Sequence, residues 1–238
     1  MHIRMVGASD LGRVRKNNED SLFFDANLGL GIVCDGIGGR EGGEVASQLA
    51  RDTMVDQIRA CTQPDRESFL PSAVEMANRK IVDEGRRRIE LEGMGTTMEC
   101  LLFNHGFLHL THIGDSRTYL FYSGHFWQLT IDHNIKTLVE YGDVPREMNT
   151  RNYGDALVRA LGIENKAEPD FYKVKMRPGQ TFITASDGLF DMVSDQDIAK
   201  TVSKMDQDGE GLVKDLIAQA CQNGGVDNVT VLVTHISE

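Results

Sequence analysis

Four aspartates in the 238-residue sequence sit at the ends of apolar runs, where a carboxylate gains a rigid mount. Asp35 follows Gly31-Ile32-Val33-Cys34 and opens a glycine-rich loop, Asp35-Gly36-Ile37-Gly38-Gly39-Arg40-Glu41-Gly42-Gly43. Asp115 follows a run ending His112-Ile113-Gly114. Asp187 follows Thr181–Ser186 and precedes Gly188, and Asp227-Asn228 directly precedes the last apolar run. If these runs are neighbouring strands, the acids share one rim and repel unless a cation neutralises them. Hard cations such as Mg²⁺ or Mn²⁺ prefer oxygen donors and keep several waters. Two of them about 3.5–4 Å apart can deliver a hydroxide and clamp a phosphate. Glycines beside Asp35 let a main-chain carbonyl approach such an ion. Arg15, in Arg13-Val14-Arg15-Lys16-Asn17-Asn18-Glu19-Asp20, is the local cation best suited to grip phosphate oxygens in a fork. Asp-Gly and Asp-Asn pairs are also ordinary turn chemistry, and Arg15 also fits a solvated basic turn, so local pattern alone leaves both readings open.

Other chemistries fit less well. Cys34 and Arg40 have the C-x5-R spacing of thiolate phosphatases, but Asp35 would lie inside the phosphate cradle and Ile37 replaces a loop glycine. His105, His109 and His112 suggest zinc, yet His109 and His112 fall on opposite faces of one strand. The glycine-rich loop lacks the Lys-Ser/Thr end of a nucleotide-binding loop. Asp195-Gln196-Asp197 after Ser194 reads as a capped helix start.

The elements that must position these residues read as follows. Strands are expected at Ser21–Asp25, Gly31–Cys34, Thr97–Phe103, Phe107–His112, Thr118–Tyr122, Phe126–Leu129, Phe171–Val174, Thr181–Ala185 and Val229–His235. Phe121–Phe126 forms a hairpin around Ser123-Gly124. Helices are expected at Glu44–Ala60, with Val45, Leu49, Val55 and Ile58 on one face; at Ser68–Ile89, with Leu70, Val74, Ala77 and Ile81; and at Glu210–Cys221, with Leu212, Val213, Leu216, Ile217 and Ala220. This order predicts an α+β fold: a four-layer αββα sandwich of two antiparallel sheets flanked by helices. The polar stretch from about Thr130 to Pro169 reads as a flap insertion, and residues 1–238 as one domain.

The composition narrows the setting. Net charge is −11, which disfavours nucleic acid and anionic membranes as partners. Four scattered cysteines without a CxxC pair argue against a disulfide framework or zinc knuckle and fit a reducing cytoplasm. No run approaches the roughly 20 apolar residues of a membrane helix, and the N-terminus lacks a signal-peptide core.

Eight motifs in order then resemble the metal-dependent protein phosphatase family, the type 2C Ser/Thr phosphatases, over almost the whole chain. They are Ser9-Asp10-x-Gly12-x-x-Arg15-x-x-Asn18-Glu19-Asp20, Asp35-Gly36-Ile37-Gly38-Gly39, Gly95-Thr96-Thr97 and Gly114-Asp115-Ser116-Arg117-x-Tyr119. Leu129-Thr130-x-Asp132-His133, Arg159-Ala160-Leu161-Gly162, Ser186-Asp187-Gly188-Leu189 and Asp227-Asn228-Val229-Thr230 complete the set. The resemblance implies hydrolysis of phosphoserine and phosphothreonine in proteins by a metal-activated water at a dinuclear Mn²⁺ or Mg²⁺ centre. It makes Asp35 the bridge between the ions, the Gly36 carbonyl a ligand of one, and Asp187 and Asp227 ligands of the other. Glu19 acts through a metal or its waters, Asp115 with Asp187 holds a weaker third ion, and Arg15 binds phosphate. It further implies a bacterial-type enzyme, expected to be monomeric, that opposes a Ser/Thr protein kinase. Ile37 departs from the methionine or histidine usual in relatives, so the proposed general-acid histidine is missing. Asn134 stands where serine is usual. The rival expectation is a phosphoprotein-binding regulator that keeps the fold without turnover.

Overall fold

A computed structural model describes residues 1–38, 42–142, 153–204 and 209–238. Twelve strands are described: β1 (His2–Asp10), β2 (Ser21–Asp25), β3 (Leu30–Cys34), β4 (Gly36–Ile37), β5 (Gly95–Thr96), β6 (Met98–Asn104), β7 (Phe107–Ile113), β8 (Arg117–Tyr122), β9 (His125–Gln128), β10 (Asp170–Lys175), β11 (Thr181–Ala185) and β12 (Val229–Ser237). The helices are α1 (Gly42–Ala60), α2 (Leu70–Arg87), α3 (Ile135–Tyr141), α4 (Asp187–Phe190), α5 (Asp195–Val202) and α6 (Glu210–Gln222).

The strands form two five-stranded antiparallel sheets, ordered β1-β12-β11-β8-β9 and β10-β7-β6-β3-β2, with β4 and β5 as a separate short pair. The central strands are buried on both faces, which is why they read as continuous apolar runs. Alternate residues serve two different cores. Val33, Leu101, Phe103, Phe182 and Leu232 point between the sheets. Ile32, Cys100 and Leu102 point instead to α1 and α2. Ile183, Val231 and Val233 point to α5 and α6. That alternation produces the expected four-layer αββα sandwich.

Most predicted elements stand within one or two residues of expectation. The Ser123-Gly124 turn joins β8 to β9 with positive φ at both residues, 51° and 78°, matching the twist a two-residue hairpin needs. Ser194 caps α5, accepting the Asp197 amide at 3.3 Å. Asn134 caps α3 by accepting the Thr137 amide at 3.0 Å, a task asparagine performs as well as serine. The α1 stripe is as expected at Val55 and Ile58, both buried, and differs in the first turns. Ala46, Ala50 and Met54 face the core, while Val45 and Leu49 are only half-buried, because small residues let the helix approach the sheet closely. β1 was not anticipated: His2, Arg4 and Ser9 interrupt its apolar pattern, and its order comes from nine paired residues on β12. Of the expected flap, α3 and the segment from residue 153 are described; residues 143–152 lie outside the described residues.

Candidate active site

Antiparallel pairing puts the chemically interesting residues at one end of both sheets. Asp35 follows the end of β3, and the β2 start, preceded by Glu19 and Asp20, pairs beside it through Ser21↔Cys34. β7 runs parallel to β3 across the intervening β6, so Asp115 after β7 emerges at the same end. In the other sheet Ala185 pairs with both Val231 and Arg117. The end of β11, which leads to Asp187, therefore abuts the start of β12, which Asp227 precedes.

Local bonds fix each acid. The Asp35 amide donates to Thr97 Oγ1 at 2.9 Å, and its carbonyl accepts from the Thr97 amide and from Thr96 Oγ1. The Glu19 amide donates to Asn228 Oδ1 at 2.9 Å, tying the Arg15–Asp20 loop to the Asp227–Asn228 turn. Ser186 Oγ donates to Asp20 Oδ2 at 2.8 Å. Arg15 Nη2 donates to Asp227 Oδ2 at 2.5 Å, with half of the arginine side chain exposed. Gly36 is required by close approach: a Cβ there would lie 2.2 Å from the Gly43 carbonyl oxygen. A Cβ on Gly43 would meet Glu19 Oε2 at 2.7 Å, which places the Glu19 carboxylate against this glycine pair.

The electrostatics are those of crowded, desolvated acids. Burial, with neighbouring aspartates adding, pushes Asp20 up to about 7. Burial and Asp187 push Asp115 up to about 7. Burial, Asp227 and Asp191 raise Asp187 to about 6 against a lowering hydrogen bond with Asp35. Asp35 is raised well above the carboxylate range by burial and by Asp20, Asp187 and Asp115. Burial also raises Glu19. Carboxylates crowded in this way favour a nearby source of positive charge.

The residues fit divalent cations. Oδ1 of Asp20 and Oδ1 of Asp187 are buried with no hydrogen-bond partner, a costly state for carboxylate oxygens unless a cation meets them. Among the described residues no three His, Cys, Asp or Glu side chains close into a ready-made cage. The acids share a rim, and Asp227 is turned to Arg15. Mg²⁺ and Mn²⁺ suit such a rim, since a carbonyl such as that of Gly36 and water can fill much of their shell.

All the expected site residues, Arg15, Glu19, Asp35, Gly36, Asp115, Asp187 and Asp227, therefore meet at this end of the sandwich. Asp20 was missed as a participant; the signal was the adjacent acid pair Glu19-Asp20 before β2. Asp191 was missed too. It lines a cavity of about 380 Å³ together with Asp115, Asp187, Arg117, Lys136 and Tyr141. Arg117 is held there by a fork to Asp132, 2.9 and 2.6 Å, and its guanidinium lies 4.9 Å over the Phe190 ring. A larger cavity of about 790 Å³ behind α2 contains none of these acids. The rejected chemistries stay rejected. Cys34 is fully buried and its thiol is pushed far up by burial, the opposite of a nucleophile. His112 points into the sheet interface, whereas His109 lies 3.8 Å from Glu67.

A rim of buried carboxylates thus stands at one end of an αββα sandwich. The chain matches the protein phosphatase 2C family over residues 5–229 and belongs to that family. It is 37% identical over 236 residues to the serine/threonine protein phosphatase PstP of Mycobacterium tuberculosis, covering 98% of this chain and 45% of PstP. It thus spans about half the length of that relative. It is 32% identical to the serine/threonine phosphatase stp of Listeria welshimeri, covering 94% of this chain and 92% of stp. The structure superposes on the catalytic domain of PstP in complex with two manganese ions with a TM-score of 0.87, at 35% identity, covering 100% and 99% of the two chains. No described helix is long and apolar enough to cross a membrane.

Proposed function

We propose that this chain removes phosphate from phosphoserine and phosphothreonine in proteins. The observation that carries the reading is the pair of orphaned, buried carboxylate oxygens on Asp20 and Asp187, set on a rim with Asp35 and beside Arg15. The family and its named relatives support the same reaction class.

Asp35, the Gly36 carbonyl, Asp187 and Asp227 would hold two divalent ions, Mn²⁺ or Mg²⁺; Glu19 and Asp20 would bind their waters, and Asp115 a weaker third ion. Such ions supply an activated water and positive charge against a phosphate. The chain's own residues do the rest. Arg15 is half-exposed and carries a planar fork, so on exchanging Asp227 for substrate it binds two phosphate oxygens. The Thr97 hydroxyl and the Thr96–Thr97 hydrogen bonds hold the Asp35 backbone rigid, so the acid does not reorganise during turnover. The cavity under α3 admits residues flanking the phosphorylated side chain. Glu140, Asp155 and Asp191, the lining acids that hold no ion in this reading, outweigh Lys136, Arg117 being already matched by Asp132; uncharged or basic flanking residues suit it.

All of these groups come from one chain, so a monomer suffices. Four free cysteines suit a reducing cytoplasm. In the cell the reaction would oppose a Ser/Thr protein kinase. The test is Mn²⁺-dependent release of phosphate from a phosphothreonine peptide, with and without EDTA. Turnover that EDTA abolishes is expected; tight peptide binding without turnover would favour a phosphoprotein-binding regulator instead.

A further inference from the structure

We infer that His133 is a positioning residue for Asp115, clamping the Gly114–Asp115 turn through a neutral imidazole whose Nδ1 accepts the Gly114 amide. The inference rests on the reading of Asp115 as a site acid given above. The turn needs such a clamp. Gly114 has φ of +107°, and a Cβ there would lie 2.5 Å from Thr97 Cγ2, so the chain reverses in a conformation other residues resist. Its amide is buried and would be an orphan without a partner. His133 supplies two bonds: its Nδ1 accepts from the Gly114 amide at 3.1 Å, and its own amide donates to the Gly114 carbonyl at 2.7 Å.

The tautomer follows from the donors. A backbone N–H can only donate, so Nδ1 carries a lone pair and the ring proton is on Nε2. Nε2 faces Asp170 Oδ2 at 3.3 Å. Asp170 is itself fixed, accepting from Arg159 at 3.0 Å and from the Tyr172 hydroxyl at 3.3 Å. The other side of the ring is fixed by His112, whose ring centroid is 4.4 Å away. His112 donates to the Ile131 carbonyl at 2.9 Å and is paired with buried Glu99. Burial, His112 and Arg159 together push His133 down to about 4, so the ring stays neutral at working pH. A relay from Arg159 through Asp170 and His133 therefore ends at the residue before Asp115. A histidine that merely fills space would need none of these directional bonds.

Two measurements test this. The first uses metal-free protein: long-range ¹H–¹⁵N NMR of His133 should show an Nε2–H tautomer with an accepting Nδ1. An Nδ1–H tautomer or an imidazolium at neutral pH overturns the proposal. This result does not depend on turnover, so it stands apart from any failure of the phosphatase reading. The second measures the Mn²⁺ concentration for half-maximal activity in His133→Leu, His133→Asn, Asp115→Ala and the Leu/Ala double variant. Removing a residue that orients a metal ligand weakens metal use about 10-fold or more. His133→Leu should shift the midpoint by that order, and the double variant should be no worse than Asp115→Ala. His133→Asn, whose side-chain oxygen can take the Gly114 amide, should recover most of the loss. Additive effects of Leu and Ala, or an Asn variant as impaired as Leu, would show simple packing and overturn it.

Discussion

Arg15 and Asp227 are bonded to each other, Nη2 to Oδ2 at 2.5 Å, although one is suited to phosphate and the other to a metal. The pairing is consistent with both roles. An unneutralised carboxylate on a crowded rim takes the nearest cation, and the guanidinium is raised chiefly by this bond. A divalent ion held by Asp227 would leave the fork of Arg15 free for substrate. Arg15→Ala should therefore raise KM for a phosphopeptide by about 10-fold or more, the scale of a lost charge-assisted pair. Mn²⁺ affinity, read by calorimetry without substrate, should hold or tighten. A weaker Mn²⁺ affinity with unchanged KM would reverse the assignment.

Asp20 and Asp187 each carry one buried oxygen with no partner, and the two should separate stability from activity in the same way. Asp187→Asn removes a ligand charge, and turnover should fall about 10²-fold or more. Asp20→Asn should lower turnover less, because Asp20 is engaged by Ser186 and in the proposed reading meets an ion only through its water. Both variants relieve repulsion, so both should melt higher than wild type when metal is absent, the usual exchange between stability and function. Thermal melts in EDTA beside kinetics in Mn²⁺ measure this; equal or lower melting of both variants would contradict it.

How far these relationships were legible in the sequence depends on their range. Strands buried on both faces, such as Leu30–Cys34 and Thr181–Ala185, announce themselves through unbroken apolar runs. β1 does not, because His2, Arg4 and Ser9 are tolerated only where β12 supplies their hydrogen bonds. The α1 stripe is legible at Val55 and Ile58 but not in the first turns, where hydrophobicity favours Val45 and Leu49 and close packing favours Ala46 and Ala50. At the site, Asp35, Asp115, Asp187 and Asp227 were visible from their places at strand ends. The importance of Asp20 was not, since its burial depends on Ser186 and Thr230, far along the chain. The pairing of Arg15 with Asp227 spans 212 positions and has no local sequence signal.

Metal removal should couple to pH. In the metal-free fold Asp20 and Asp115 stand near 7 and Asp187 near 6, all raised first by burial. An unfolded aspartate titrates near 3.9. The folded state therefore holds extra protons from about pH 4 to 7, and the stability they contribute is lost as pH rises through the folded values. His133, lowered to about 4, and His109 and His235, also lowered by burial, work in the opposite direction, but below about 6.5. Metal-free protein should melt higher near about pH 6.5 than near about pH 8. Added Mn²⁺ should raise the melting temperature more at the higher pH, because there it no longer competes with protons. A metal-induced shift that is the same at both pH values would refute the electrostatic account.

The Thr97 hydroxyl joins the Asp35 backbone to the turn that carries Asp115. It accepts the Asp35 amide at 2.9 Å and bonds Ser116 Oγ at 2.7 Å, with Thr97 1% exposed. Thr97→Val keeps the shape and deletes both bonds. The stranded Asp35 amide and Ser116 hydroxyl should cost about 1–3 kcal/mol, read as a lower denaturation midpoint. Because Asp35 is also freed to shift, the Mn²⁺ requirement should rise in the same variant. Thr97→Ser restores the hydroxyl while losing one methyl, so it should recover the metal dependence even though it leaves a small packing defect. If instead the Val variant keeps the wild-type metal dependence while the Ser variant loses it, the methyl packing and not the hydroxyl bridge holds the Asp35 backbone in place.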